Sequence, residues 1–271
     1  MNAQGQLTLL EGDTPRPCSR WTGWAQWLAL VTMTLDHLSR HVTPPGWGLE
    51  WVGGTLGRIA FPLFAAMVAW HGLFNTRNPL RYARRILAIG LVAQLPYALI
   101  PRDAYLLNVC FTLAAGLAWG AGLRELLARQ RRGILALPWL VLAGAASLLA
   151  WQWLGDRVEY GHRGLLLIPL YMLAFQALHR ADSPLPERAA AVAMAVPALV
   201  VTGLMNSTDL AKSFAVATCL AVLWLAAGAH RYVREVPRAM PRRLWLGWYP
   251  GHFALIALLL LWWGHAELPW P

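Results

Sequence analysis

Charge is scarce in this chain. Of its 271 residues 13% are charged and 58% are hydrophobic, whereas a soluble domain is about a quarter charged. That shortage excludes an ordinary water-soluble enzyme. Lysine is almost missing: Lys212 stands alone, and the formal net charge of +10 is carried by arginine. Cysteine is equally sparse. Cys18 lies near the N-terminus and Cys110 and Cys219 fall in apolar runs, so no disulfide framework follows. Strand-like alternation is lacking, which excludes a transmembrane β-barrel. There is no short-period repeat, phosphate-cradling P-loop, G-x-S-x-G elbow or H-E-x-x-H helix, so no motif of that kind names a reaction. Residues 1–20 are polar, with Pro15 and Pro17, and lack the apolar core of a cleavable signal peptide.

What is present is a succession of apolar runs of about twenty residues, each long enough to cross a bilayer as a helix. The expectation is an all-α, polytopic transmembrane bundle: a cytoplasmic tail over 1–20, then one integral membrane domain over 21–271. Nine spans are predicted, over 22–42, 52–74, 81–101, 105–127, 134–154, 163–180, 188–205, 211–229 and 244–264, with eight or ten as the alternatives. Arginine then sets the orientation. Seventeen basic residues fall at the N-terminus and in the loops 75–85, 124–132, 180–188 and 230–243, and five fall on the other side. The positive-inside rule therefore places the N-terminus in the cytoplasm. Because the basic surplus reads as topology, nucleic acid is not an expected partner, whereas membrane lipid is.

Against this background Asp36 is expensive. An acid at a helix centre costs roughly 2.5–3.5 kcal/mol on insertion scales, and Asp36 is the one acidic residue well inside a predicted span. Among the basic residues Arg58 is placed most clearly inside one. The first span runs outward and the second inward. At 1.5 Å per residue both charges then lie less than about 10 Å below the outer face. An Asp36–Arg58 pair is expected, either as a structural tie between the first two helices or as the setting of a reactive His37. Adjacent helical residues point about 100° apart, so Asp36 holds Arg58 while His37 faces a cavity, or the reverse. Histidine is the common general base near neutral pH. His37 and His41 at i,i+4 lack a third matched ligand, so no metal is expected.

Other polar residues fall at useful depths. Asn108 and Thr112, one turn apart on the fourth span, join the site or bond between helices. His252, after Pro250, lines a cavity or fills a kink. Tyr160 and Arg163 border the outer mouth or belong to a solvated loop. Arg77, Arg81, Arg84 and Arg85 grip the phosphates of a nucleotide-like cofactor or express topology alone.

The order of these blocks resembles the TraX family. The family's M-x-x-D-H is matched by Met33 to His37, and its G-R-I-A-F-P-[IL]-F by Gly57 to Phe64. Arg81-Tyr82-Ala83-Arg84-Arg85 with Gln94-Leu95-Pro96-Tyr97 resembles the third helix, and Leu107 to Leu113 the L-N-x-x-F-T-L of the fourth. Tyr160 to Gly164 resembles Y-G-x-x-G, and Tyr249 to His252 the terminal Y-P-x-H. The resemblance runs from about residue 30 to 255. It implies an inner-membrane enzyme that matures conjugative pilin, within plasmid transfer and type IV secretion. The implied reaction is N-acetylation of the pilin amine, with acetyl-CoA as donor. His37 is then the base, with Asp36 and Arg58 as its setting; Asn108, Thr112, Tyr160, Arg163, Tyr249 and His252 contact substrate, and the arginines at 77–85 hold the cofactor. Pilin cyclisation or transpeptidation is an alternative, as is a non-enzymatic pilin chaperone.

Overall fold

A computed structural model describes residues 17–44, 46–101, 105–179 and 185–263. Most of the expected N-terminal tail lies outside the described residues. Within them the chain is helical, and nine helices are long: α1 (Arg20–His41), α3 (Gly57–Trp70), α4 (Pro79–Ala98), α5 (Val109–Arg131), α6 (Leu137–Gly155), α7 (Gly161–Leu178), α8 (Leu185–Leu204), α9 (Asp209–Ala226) and α10 (Arg242–Trp262). A single-turn α2 (Glu50–Gly54) precedes α3, and a π-helical turn, His71–Asn75, follows it. Each predicted span corresponds to one long helix, with α2, α3 and the π-helical turn together making the second.

Five helical segments are long and apolar enough to cross a membrane: Glu50–Asn75, α6, α8, α9 and α10. The molecule is a membrane protein. The α3 helix forms its axis. Its Ala65 to Trp70 run is buried without a break, and α1, α7 and α9 pack around it. Small residues on α3 (Ala65, Ala66, Ala69) allow these neighbours to approach closely, as packing between membrane helices requires. By contrast α6 is apolar all round and buries only Gly155. A helix without a polar stripe or a buried face is suited to lipid contact.

Contacts define two ends. At one, Ser19 bonds Asn75, Trp70 packs on His230, and the indole N–H groups of Trp24 and Trp27 donate to the carbonyls of Arg234 and Arg238. This end carries the arginines at 77–85 and 231–243. At the other end Arg40 reaches the Gly53 carbonyl, Gln94 reaches Leu106, and a short bridge joins Leu107 to Val158.

Candidate functional site

The α1 helix presents two faces near the end opposite the arginines. Asp36 is buried and points towards α2 and α3. The expected Asp36–Arg58 hydrogen bond is replaced by another. Arg40, one turn further along α1, donates from Nε to Asp36 Oδ1 at 2.8 Å. This i,i+4 contact needs no help from a second helix. Arg58 acts on the carboxylate as a nearby charge, and its Nε is buried with no hydrogen-bond partner among the described residues. The break at Thr55–Leu56 is informative here. It starts a new helix at Gly57 and brings the positive end of the α3 dipole to the Asp36 carboxylate.

Gly57 makes that approach possible. A Cβ on it would lie 2.6 Å from Asp36 Cγ and 2.7 Å from Asp36 Cβ, where no side chain fits. Gly57→Ala is therefore expected to separate α1 from α3 and to cost about 1–3 kcal/mol, the usual range for overpacking. Thermal unfolding in detergent reads this loss; an unshifted transition would contradict the close approach.

The other face of α1 carries His37. Its Nδ1 lies 2.8 Å from Nε2 of His252 on α10, with the rings stacked 5.1 Å apart and 5° from parallel. His252 Nδ1 lies 2.8 Å from the Trp248 carbonyl. A carbonyl only accepts, so His252 carries its proton on Nδ1 and accepts at Nε2. His37 must then donate from Nδ1, which places the lone pair of its neutral form on Nε2. The chain from Trp248 through His252 thus selects one tautomer of His37. Phe253 packs on both rings, at 4.7 and 4.2 Å. The orienting partner of His37 is His252, and Asp36 belongs to a separate ionic cluster.

Tyr160 adjoins that ionic cluster. Its ring stacks on Phe61 at 3.8 Å, and its backbone is left-handed at φ 68°. A non-glycine residue in that region is held there against a cost of about 1 kcal/mol or more. Burial, with the neighbouring Glu159 carboxylate adding to it, pushes the phenol well above its usual range, so Tyr160 is a neutral donor at physiological pH.

The remaining expected residues divide. Asn108 is fully buried; its amide donates to the Gly90 carbonyl and Gln94, and its oxygen caps Cys110 N–H. It joins α4 to α5, with both of its amide N–H donors already used. Thr112 donates to the Glu159 carbonyl and fixes the loop that carries Tyr160. Arg163 is exposed and donates to the Leu204 carbonyl. Tyr249 packs edge-on against His252 and Phe253. At the far end Arg77, Arg81 and Arg85 converge with Thr76, Asn78 and Tyr82 around a cavity of about 200 Å³, and Arg84 stays outside it. Beside this cavity is a feature that the sequence reading did not single out. Asn75 joins Ser19 and His71 within the π-helical turn, and such turns are frequent at functional sites. No three His, Cys, Asp or Glu side chains among the described residues form a group able to hold a metal.

Helices around a buried axis, with ionisable groups held between them, define a helical membrane protein with a polar cluster inside its bundle. The chain belongs to the TraX family: the family model described as TraX protein matches residues 24–260. This is a conjugation-related, pilin-associated family of membrane proteins. No curated protein and no solved structure matches the chain.

Proposed function

We propose that the protein is an inner-membrane pilin N-acetyltransferase with its N-terminus in the cytoplasm and nine spans. The observation that carries this reading is the His37–His252 pair: a half-buried imidazole whose tautomer is set by a second, buried imidazole and a carbonyl. His37 Nε2 accepts a proton from the pilin N-terminal ammonium or amine. The amine nitrogen bonds to the acyl carbon as the carbon–sulfur bond breaks, and the departing thiolate takes up a proton. Arg58, whose charge lies beside Asp36 on the neighbouring face of α1, supports the developing oxyanion through its field. An acetyl thioester supplies the activated acyl carbon.

The arginine cavity fits the phosphate part of such a donor. Three guanidinium groups and the Asn78-capped start of α4 surround it, which is the chemistry of a phosphate site. Its volume suits phosphate groups and not a whole coenzyme. Along α4 the distance from Arg81 to Tyr97, which packs on Phe253, is about 24 Å at 1.5 Å per residue. The thioester-bearing arm of the donor must cover that depth between helices.

Hydrogen bonds to charged groups contribute about 1.5–3 kcal/mol each. The double variant Arg81→Gln/Arg85→Gln should therefore raise the acetyl-CoA concentration for half-maximal acetylation at least about tenfold. Arg84→Gln, outside the cavity, should leave it unchanged. Purified protein with a pilin peptide and graded acetyl-CoA gives both values. The reading itself is tested by the intact mass of mature pilin from cells with and without the protein. An acetyl group that disappears with the protein supports acetylation, a lost water that reappears supports cyclisation, and identical masses refute both.

A further inference from the structure

The α1 and α10 helices leave a groove of about 460 Å³ between them, separate from the arginine cavity. Thr34 and Leu38 line one side; Arg243, Gly247, Gly251 and His252 lie along the other. Leu244, Leu255 and Ile256 complete a predominantly apolar wall. From Arg243 to Ile256 the groove follows α10 for about 20 Å at 1.5 Å per residue, more than the roughly 15 Å of one bilayer leaflet. Gly247 and Gly251 put no side chain into it, and a Cβ added at either would stand in open space. Its walls are tied by the Trp248 indole, which donates to Thr34 Oγ1 at 2.9 Å.

We propose that this groove binds one anionic phospholipid, with its phosphate on Arg243 and an acyl chain running past Gly247 and Gly251 to His252. Two observations select this occupant. The charge is confined to one end of an otherwise apolar channel, which matches an amphiphile with an anionic head. Arg243 has no acidic partner among the described ion pairs, and it lies in the first turn of α10, where the helix dipole also favours an anion. A chain in the groove covers the open side of His252. Lipid therefore completes the wall of the histidine pair, and a substrate arriving from the membrane must displace it.

The proposal does not depend on the acetylation reading, and its test reads lipid alone. The full chain is reconstituted in vesicles containing equal phosphatidylglycerol and phosphatidylcholine, extracted, and weighed intact by native mass spectrometry. One retained phosphatidylglycerol is expected, favoured over phosphatidylcholine by about fivefold or more, the worth of one arginine at an anionic surface. Arg243→Gln should abolish the preference, and Gly251→Leu should abolish retention of either lipid. Arg242→Gln, one residue from the groove, should change neither. Equal retention of both lipids by the wild type would overturn the proposal, as would equal losses from Arg242→Gln and Arg243→Gln. Efficient Gly247→Cys disulfide formation between two copies in the vesicles would also overturn it, by assigning the groove to a second chain.

Discussion

Replacing His37 by alanine is expected to leave pilin unacetylated on the timescale of its assembly. A general base contributes about 10²- to 10⁴-fold to a rate, and the contacts of His37 with His252 leave the lone pair of its neutral form on Nε2. The second member of the pair acts through the first. His252→Gln retains a side-chain oxygen able to accept the His37 Nδ1 proton, so it should lose less activity than His252→Ala, which leaves that donor unmet. The expected order is wild type, His252→Gln, His252→Ala, His37→Ala. His41→Ala serves as the comparison: its ring lies 6.4 Å from that of His37 and tilted to it by 42°, whereas His252 stacks on His37. Intact pilin mass gives the acetylated fraction for each variant, and circular dichroism of the purified proteins establishes that each remains folded. Full acetylation with a folded His37→Ala protein would remove His37 from the chemistry and return attention to His71 beside the arginine cavity.

The sequence made the helices legible because membrane solvent allows few alternatives. Every backbone polar group must be satisfied within the segment, so an apolar run of the right length is a helix. The second span was the partial exception. The run over 52–74 reads as one helix, but the chain breaks at Thr55–Leu56 and loosens into a π-turn after Trp70. Neither departure follows from hydropathy. The first lies where Asp36 and Gly57 meet, a contact between residues on different helices.

The site was legible residue by residue and not pair by pair. Asp36 and Arg58 stood out by cost, and depth alone suggested that they bond. The i,i+4 spacing of Asp36 and Arg40 was also present in the chain, and a local contact outcompetes a distant one because one helix already holds both groups in register. His37 and His252 are 215 positions apart. Their pairing depends on how α1 and α10 pack, with Thr34 opposite Trp248 and His37 opposite His252. A single sequence carries no local signal for that register. Asn108 shows the converse: a buried polar residue at site depth can be fully occupied as a helix cap.

Asp36→Asn is expected to cost mainly stability, and Arg58→Met mainly activity. Asparagine keeps the shape of aspartate but removes the charge that offsets two guanidinium groups. Breaking a buried ion pair by deleting one partner costs about 3–5 kcal/mol. Here the Arg40 side chain is 42% exposed, and solvent recovers much of that share, as it does for surface pairs. Arg58 cannot be rescued in the same way at its buried Nε. The net loss should be about 2 kcal/mol, which lowers Tm by several degrees in a chain of this size. Arg58→Met removes the cation and leaves Asp36 with Arg40, so it should unfold close to the wild type. Yet if Arg58 supports the oxyanion, its loss should slow acetylation by about 10²–10³-fold. The double variant Asp36→Asn/Arg58→Met separates the two effects. With the unmatched cation gone it should be more stable than Asp36→Asn alone, a coupling between neighbouring sites that additive behaviour would not give. Thermal unfolding in one detergent, with pilin mass measured in parallel, tests the whole set. A double variant no more stable than Asp36→Asn would mean that Arg58 does not act on Asp36, and that their approach is packing without electrostatic consequence.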